Sequence, residues 1–237
     1  MTWPLRISFS LGCAVAAIAG TVNGTVRLID SHDPEVRKHQ RFSGVAVWLD
    51  LVGRSTAGEV RRQPAVMAQK MKTFTPHVLA ILAGTEVEFP NFDPIFHNAF
   101  SSYSGQVFDV GLYPPGHSRT VVFKREGVVR VFCNIHSGMS AVIVVLNTPY
   151  FAVSDSAGSF VIPNVPAGDY VLHLYHERAL QKELQGLTQP LRVTAGQVSI
   201  PQLVIAETGY VQTPHQNKYG FDYPVADDQL FYSKEKK

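Results

Sequence analysis

The sequence predicts an all-β protein made of two β-sandwiches, a larger one followed by a smaller one. Three observations carry that prediction. Short runs of alternating apolar or β-branched residues recur along the chain, and Gly, Pro, Asn, Asp or Ser clusters separate most of them. Before residue 178 no stretch keeps a helical period over three turns. Many short strands with turn signals between them are the pattern of a sandwich.

The runs, in order, are Thr25–Ile29, Gly44–Leu51, His77–Leu82, Thr85–Phe89, Thr120–Phe123, Val128–Phe132 and Ala141–Leu146. Residues Val52–Ala65 have no periodicity and read as an exposed loop. After Leu146 the texture changes. A turn at Asp155–Gly158, a strand at Ser159–Ile162, a Pro-bounded turn at Pro166–Asp169, a strand at Tyr170–Tyr175 and a strand-rich portion from Leu191 to Ile205 make the second sandwich. The stretch from Glu207 is polar and aromatic without period, and is expected to wrap over the body or stay irregular.

The bulk composition is that of an ordinary globular protein, with 237 residues, 45% hydrophobic and 17% charged. A net charge of +2, with no basic run longer than Arg61-Arg62 before the closing lysines, argues against a nucleic-acid partner. The first residues differ in kind. Arg6 precedes an apolar run from Ile7 to Ala19 that closes on Ala17-Ile18-Ala19, the order of a cleavable secretory signal and too short to span a bilayer comfortably. No later apolar run is long enough to cross a membrane, so the mature chain is expected in the periplasm or cell envelope, exported and not membrane-spanning.

Cleavage near Ala19 removes Cys13 and leaves Cys133 as the one cysteine. It has no internal disulfide partner, which leaves a buried thiol, an intermolecular bridge or a metal ligand. Its neighbours bear on the choice. In VFCNIHSGMS the strand ends at Phe132, and a turn-rich loop then carries Cys133, His136 and Met139 at three-residue steps. A thiolate and a thioether suit Cu(I), imidazoles suit either oxidation state, and a His2Cys plane with a weak axial Met lies between the two preferred geometries. The loop holds a single imidazole. A candidate for the second lies in VEFPNFDPIFHNAFS, where His97 stands 36 positions before Cys133, far enough to sit on a separate strand.

At these residues the chain resembles the cupredoxins, the blue-copper electron-transfer proteins. The family pattern is a strand ending in Val-x-Phe-x-Asn, a His-Asn pair and Cys-x2-His-x(2–4)-Met. It appears here as Val87–Asn91, His97-Asn98 and Cys133-x2-His136-x2-Met139, with the short Met spacing of amicyanin. The resemblance covers about residues 70–147 and implies a cupredoxin-like Greek-key β-sandwich. It further implies one copper ion, cycling between Cu(I) and Cu(II), with His97, Cys133 and His136 as strong ligands and Met139 as the long axial one. Asn98 would tie the two ligand-bearing segments together by hydrogen bonds. The chain has Asn134, Ile135 and Ser137 in a loop that often carries Pro, and Phe96 where Pro commonly precedes the first His, which bears on loop stiffness and reduction potential. Residues 148–206, with turn-Gly-x-Phe and Val-Pro-x-Gly-x-Tyr, look like the regulatory-type sandwich appended to carboxypeptidases, a likeness that speaks of fold and not of function.

The expected organisation is thus a signal at 1–19, an N-terminal β extension and loop at 20–69, the copper module at 70–147, the smaller sandwich at 148–206 and an irregular tail at 207–237. Whether residues 20–69 add strands to the copper module or form a separate piece stays open. The expected role is electron transfer and not enzyme catalysis. A redox partner would dock weakly near His136, on a rim of Ile95, Phe96 and Ile135. Two other roles share the scaffold: an envelope copper carrier or sensor, and a metal-free structural or glycan-binding protein.

Competing site chemistries fit less well. The mature chain lacks the second cysteine of a binuclear copper centre, and the CxxC or HxxxH pairs of structural zinc do not occur. His173 and His176 stand three apart on a strand and so face opposite sides. His77 reads as a strand residue and His117 as an exposed loop residue, and nothing marks Ser101, Ser102 or Ser104 as an activated nucleophile.

Overall fold

The computed structural model describes residues 19–54, 62–102, 105–209 and 216–223. The signal-like segment, apart from Ala19, lies outside the described residues. So do the middle of the Val52–Ala65 loop and most of the tail.

In chain order the elements are β1 (Ala19–Ile29), α1 (Pro34–His39), β2 (Ala46–Leu51), β3 (Ala65–Val66), β4 (Ala68–Lys70), β5 (Thr73–Thr75), β6 (Val78–Leu82), β7 (Thr85–Pro90), β8 (Phe100–Ser101) and β9 (Phe108–Asp109). Then follow β10 (Ser118–Phe123), β11 (Gly127–Phe132), β12 (Ser140–Leu146), β13 (Phe151–Val153), β14 (Ser159–Pro166), β15 (Gly168–Tyr175), α2 (Gln181–Leu187), β16 (Gln189–Val193), β17 (Gly196–Ser199) and β18 (Leu203–Ala206). The protein is all-β, as its alternating runs predict. Both helices are under three turns, too short to show a helical period. Asp33 starts α1, its carboxylate accepting the Glu35 N–H, and α2 buries Leu184.

Four main sheets stack with three apolar layers between them. One outer sheet has the order β14-β1-β17, with β18 also pairing β1, and faces β13-β2-β15-β16. Val22, Val26, Val47, Leu49, Phe160, Ile162, Leu172 and Leu174 fill the layer between these two. At the other end β10-β7-β3 packs on β6-β12-β11-β8-β9, around Val87, Phe89, Phe123, Val129, Val131, Ile143 and Val145. The middle layer joins the two sandwiches through Ala46, Val78, Val142, Val144 and Leu146, with Trp48, Phe151 and Tyr175 against them.

The period of two explains this stack. On β12, Ala141, Ile143 and Val145 enter the larger sandwich's core, whereas Val142, Val144 and Leu146 enter the layer between sandwiches. A strand buried on both faces reads as an unbroken apolar run, and SAVIVVL is one. On β7 the outward positions are Glu86 and Glu88, and that sheet faces solvent.

The strand pairing also shows where the N-terminal residues go. The stretch 148–206 does not close a sandwich by itself, because β1 lies between β14 and β17 and β2 lies between β13 and β15. Residues 19–51 therefore complete the smaller sandwich, and the larger one is inserted between β2 and β13. β3 pairs with β7, so the extension ends before residue 65. Alternation along β1 marks which face is apolar and carries no mark of its neighbours, hence the difference from the contiguous organisation.

Candidate metal centre

Two segments at one end of the larger sandwich build the site. The first leaves β7 at Pro90. Buried Asn91 shapes it: its amide donates to the Ile95 carbonyl (2.8 Å), and its Oδ1 accepts the Asp93 N–H (3.0 Å). That folds 91–96 into a tight arch and returns the chain for a two-way backbone exchange between His97 and Tyr113, at 3.2 and 2.9 Å. Tyr113, fully buried, donates its hydroxyl to the Phe89 carbonyl (2.9 Å), pinning both ends of the arch. The second segment is the β11–β12 connection. The Cys133 N–H donates to the Met139 carbonyl and the Met139 N–H to the His136 carbonyl, both at 3.1 Å, so the loop closes on itself.

These segments bring three donors together. Cys133 Sγ lies 3.7 Å from His97 Nδ1 and 3.5 Å from His136 Nδ1, and the three ligand atoms lie within 4.8 Å of one another. His97 and Cys133 are fully buried and His136 is half-buried. Met139 is buried in the same apolar cluster as Cys133. Bonds of about 2.0–2.3 Å to imidazole nitrogen and thiolate sulfur, spread by roughly 110–120°, put such donors about 3.5–3.8 Å apart. The sulfur–nitrogen separations therefore suit a shared ion.

Asn98 joins the two segments. Its Oδ1 accepts the Asn134 N–H at 2.5 Å, and its Nδ2 donates to Asp109 Oδ1 at 3.2 Å. Gln69, fully buried, donates to the Asn98 carbonyl at 3.1 Å. Burial pushes the Cys133 thiol up, opposed by the backbone N–H groups of Asn98, Ile135 and His136 that face the sulfur. Burial likewise lowers the His97 pKa against the opposing pull of Asp93, whose Oδ2 stands 2.8 Å from His97 Nε2.

Thiol, imidazole and carboxylate in line are also the order of nucleophile, base and orienter. Accessibility argues against that use. Cys133 is fully buried with a raised pKa, whereas activated thiols sit partly exposed with lowered ones. A second imidazole on the same sulfur adds nothing to a nucleophile.

Several residues of the site carried no sequence signal. Asp93 lies in an Asp-Pro turn four positions before His97, and Tyr113 in a loop. Residues 216–223 cross the ligand loop: Tyr223 donates its hydroxyl to the Cys133 carbonyl (2.5 Å), and the Lys218 N–H donates to Asn134 Oδ1 (2.9 Å). Lys218 Nζ meets Asp109 Oδ2 at 2.6 Å.

Four other histidines lie elsewhere. His173 stacks on Trp48, while His176 is buried against Glu207 at 2.6 Å, so the pair does not converge. His77 bridges the sandwiches, with Nε2 2.6 Å from Glu177 and Nδ1 3.1 Å from the Ser140 carbonyl. His117 is exposed.

No family model and no curated protein matches the chain. Over part of the chain, its neighbours among solved structures are cupredoxins. A purple cupredoxin from Nitrosopumilus maritimus is 26% identical, over 35% of this chain and 99% of that one, with a TM-score of 0.32. A copper-containing nitrite reductase from Thermus scotoductus SA-01 is 24% identical over 41% of this chain, with a TM-score of 0.35, and the match spans only 28% of its own length. A reduced amicyanin variant is 17% identical over 41% of this chain and 98% of its own, with a TM-score of 0.34.

Proposed function

We propose that the chain is an exported mononuclear type 1 copper protein that carries single electrons between redox partners. One observation carries the reading: a buried cysteine sulfur with two imidazole Nδ1 atoms at 3.7 and 3.5 Å, spacings that fit a common ion. His97, Cys133 and His136 would hold it, with Met139 the weak fourth donor. Copper supplies the one-electron chemistry, and this mixed soft and borderline donor set suits both of its oxidation states.

The chain's own residues do the rest. Asn98, Gln69 and the self-closing loop hold the donors in place, so little has to move when charge changes. The apolar core around Cys133 excludes water. Half-buried His136 gives the shortest route to solvent, flanked by Phe96, 52% exposed, and Ile135, 37% exposed, with Ile95 half-buried beside them. A redox partner docks there weakly. The signal-like residues 1–19 support export to the periplasm or envelope. Among the described residues no helix is long and apolar enough to cross a membrane.

Copper added to the purified mature protein should give an intense thiolate-to-copper visible band. Cys133→Ser should erase it, and Met139→Leu should keep the colour and raise the potential. A colourless wild-type complex refutes the assignment. The half-exposed edge at His136 also suits a carrier that hands its metal on. Rapid transfer of copper to a chelator would favour that reading, and slow release with reversible voltammetry the first.

A further inference from the structure

Asp93 is nearly fully buried and held from three directions before it reaches His97. Its backbone N–H donates to Asn91 Oδ1 at 3.0 Å. Its Oδ1 accepts the Met71 N–H at 2.5 Å and its Oδ2 the Lys72 N–H at 2.8 Å. Met71 and Lys72 are the two turn residues of the β4–β5 hairpin, with φ of 54° and 57°, and this left-handed pair aims both N–H groups at one carboxylate. The same Oδ2 stands 2.8 Å from His97 Nε2.

The two imidazole nitrogens are not equivalent. An ionised carboxylate only accepts, so Nε2 must carry the proton and Nδ1 must present its lone pair. Nδ1 is the atom 3.7 Å from the Cys133 sulfur. We infer that Asp93 is the positioning residue of the site: it presets His97 in the Nε2–H tautomer before any metal arrives, and, as a buried anion behind a ligand ring, it favours the more oxidised state of an ion held there. The first half concerns the metal-free chain. The second rests on the copper reading above and follows from Coulomb attraction in a medium that screens poorly.

The ¹⁵N shifts of the His97 ring in the metal-free wild type test the first half. A single Nε2–H tautomer is expected, and an Nδ1–H or averaged ring overturns the inference. In Asp93→Ala the ring should average between tautomers, and an unchanged spectrum also overturns it. The wild-type measurement decides alone if Asp93→Ala fails to fold. Asp93→Asn keeps an oxygen as acceptor for Nε2–H and the Lys72 N–H and removes the charge, while its amide replaces the oxygen that accepts the Met71 N–H. In its copper-loaded form the Cu(II)/Cu(I) equilibrium should move tenfold or more towards Cu(I), about 59 mV for one electron. An unchanged potential overturns the electrostatic half. A copper-treated wild type without a visible band refutes the copper reading separately, because the tautomer result is read without metal.

Discussion

At the residue scale, the site depends on side chains that make no claim to bind anything. Asn98 accepts the Asn134 N–H and so fixes the residue that follows Cys133. Asn98 is buried and Asn134 half-buried, so losing this bond costs about 0.5–1.5 kcal/mol. Asn98→Ala should lower stability by that amount in denaturant titrations and, on the proposed copper reading, speed copper loss. A variant that keeps wild-type copper release would show the loop to be held by other contacts. The resemblance led to Asn98, because it follows His97 in the His-Asn pair of the family pattern. Nothing local marked Asp93, because an Asp-Pro turn is common in any loop. Its role appears only when His97 and the Met71–Lys72 turn are seen on the same carboxylate.

At the element scale, the ligand loop is held from two sides. β11 and β12 set its ends in antiparallel register, Phe132 opposite Ser140. The segment 216–223 crosses it and bonds to Cys133 and Asn134. Tyr223→Phe removes a bond to the Cys133 carbonyl worth about 1 kcal/mol. Amide exchange at residues 134–138 should quicken several-fold in that variant, with strands β11 and β12 unchanged. Unchanged loop exchange would mean that the crossing segment rests on the loop without restraining it. The Asp155–Gly158 turn was readable because it requires glycine: Gly158 has φ of 82°, and a Cβ there would collide with the Val26 carbonyl. Where the crossing segment lands was not readable, since a polar aromatic stretch without period carries no address.

At the scale of the whole molecule, charges stitch together what the apolar layers stack. Fully buried Glu207, just past β18, accepts from His176 at 2.6 Å, from Arg178 at 2.9 Å and from the Ser31 hydroxyl. Arg178 also reaches Asp33 at 3.0 Å, so the ends of β1, β15 and β18 share one network. Burial pushes the Glu207 carboxyl up, but the bonds from His176, Ser31 and Arg178 outweigh it and hold the pKa at about 2, below the ordinary 4.5. The folded state therefore gives up this charge later than the unfolded chain does. Its contribution, on the order of 3 kcal/mol, is complete above the unfolded value and fades as pH falls through the folded one. Glu207→Gln should be destabilised by that order at neutral pH and converge with the wild type near pH 2. A constant difference across that range would show that packing, and not charge, makes the contribution.

The strands, the turns and one half of the candidate metal site were set by neighbours in sequence. Alternation reports which face of a strand is apolar, and the Cys-x2-His-x2-Met spacing places three donors on one short loop, because both are properties of a few adjacent residues. Pairing order and convergence are not local. Only the tertiary structure put β1 and β2 at the centre of the sheets of the smaller sandwich. Only it carried His97 to within 3.7 Å of the Cys133 sulfur and set the Asp93 carboxylate behind the ring. An apolar strand face can be buried equally well against many partners, and the choice among them is made by the packing of the entire chain.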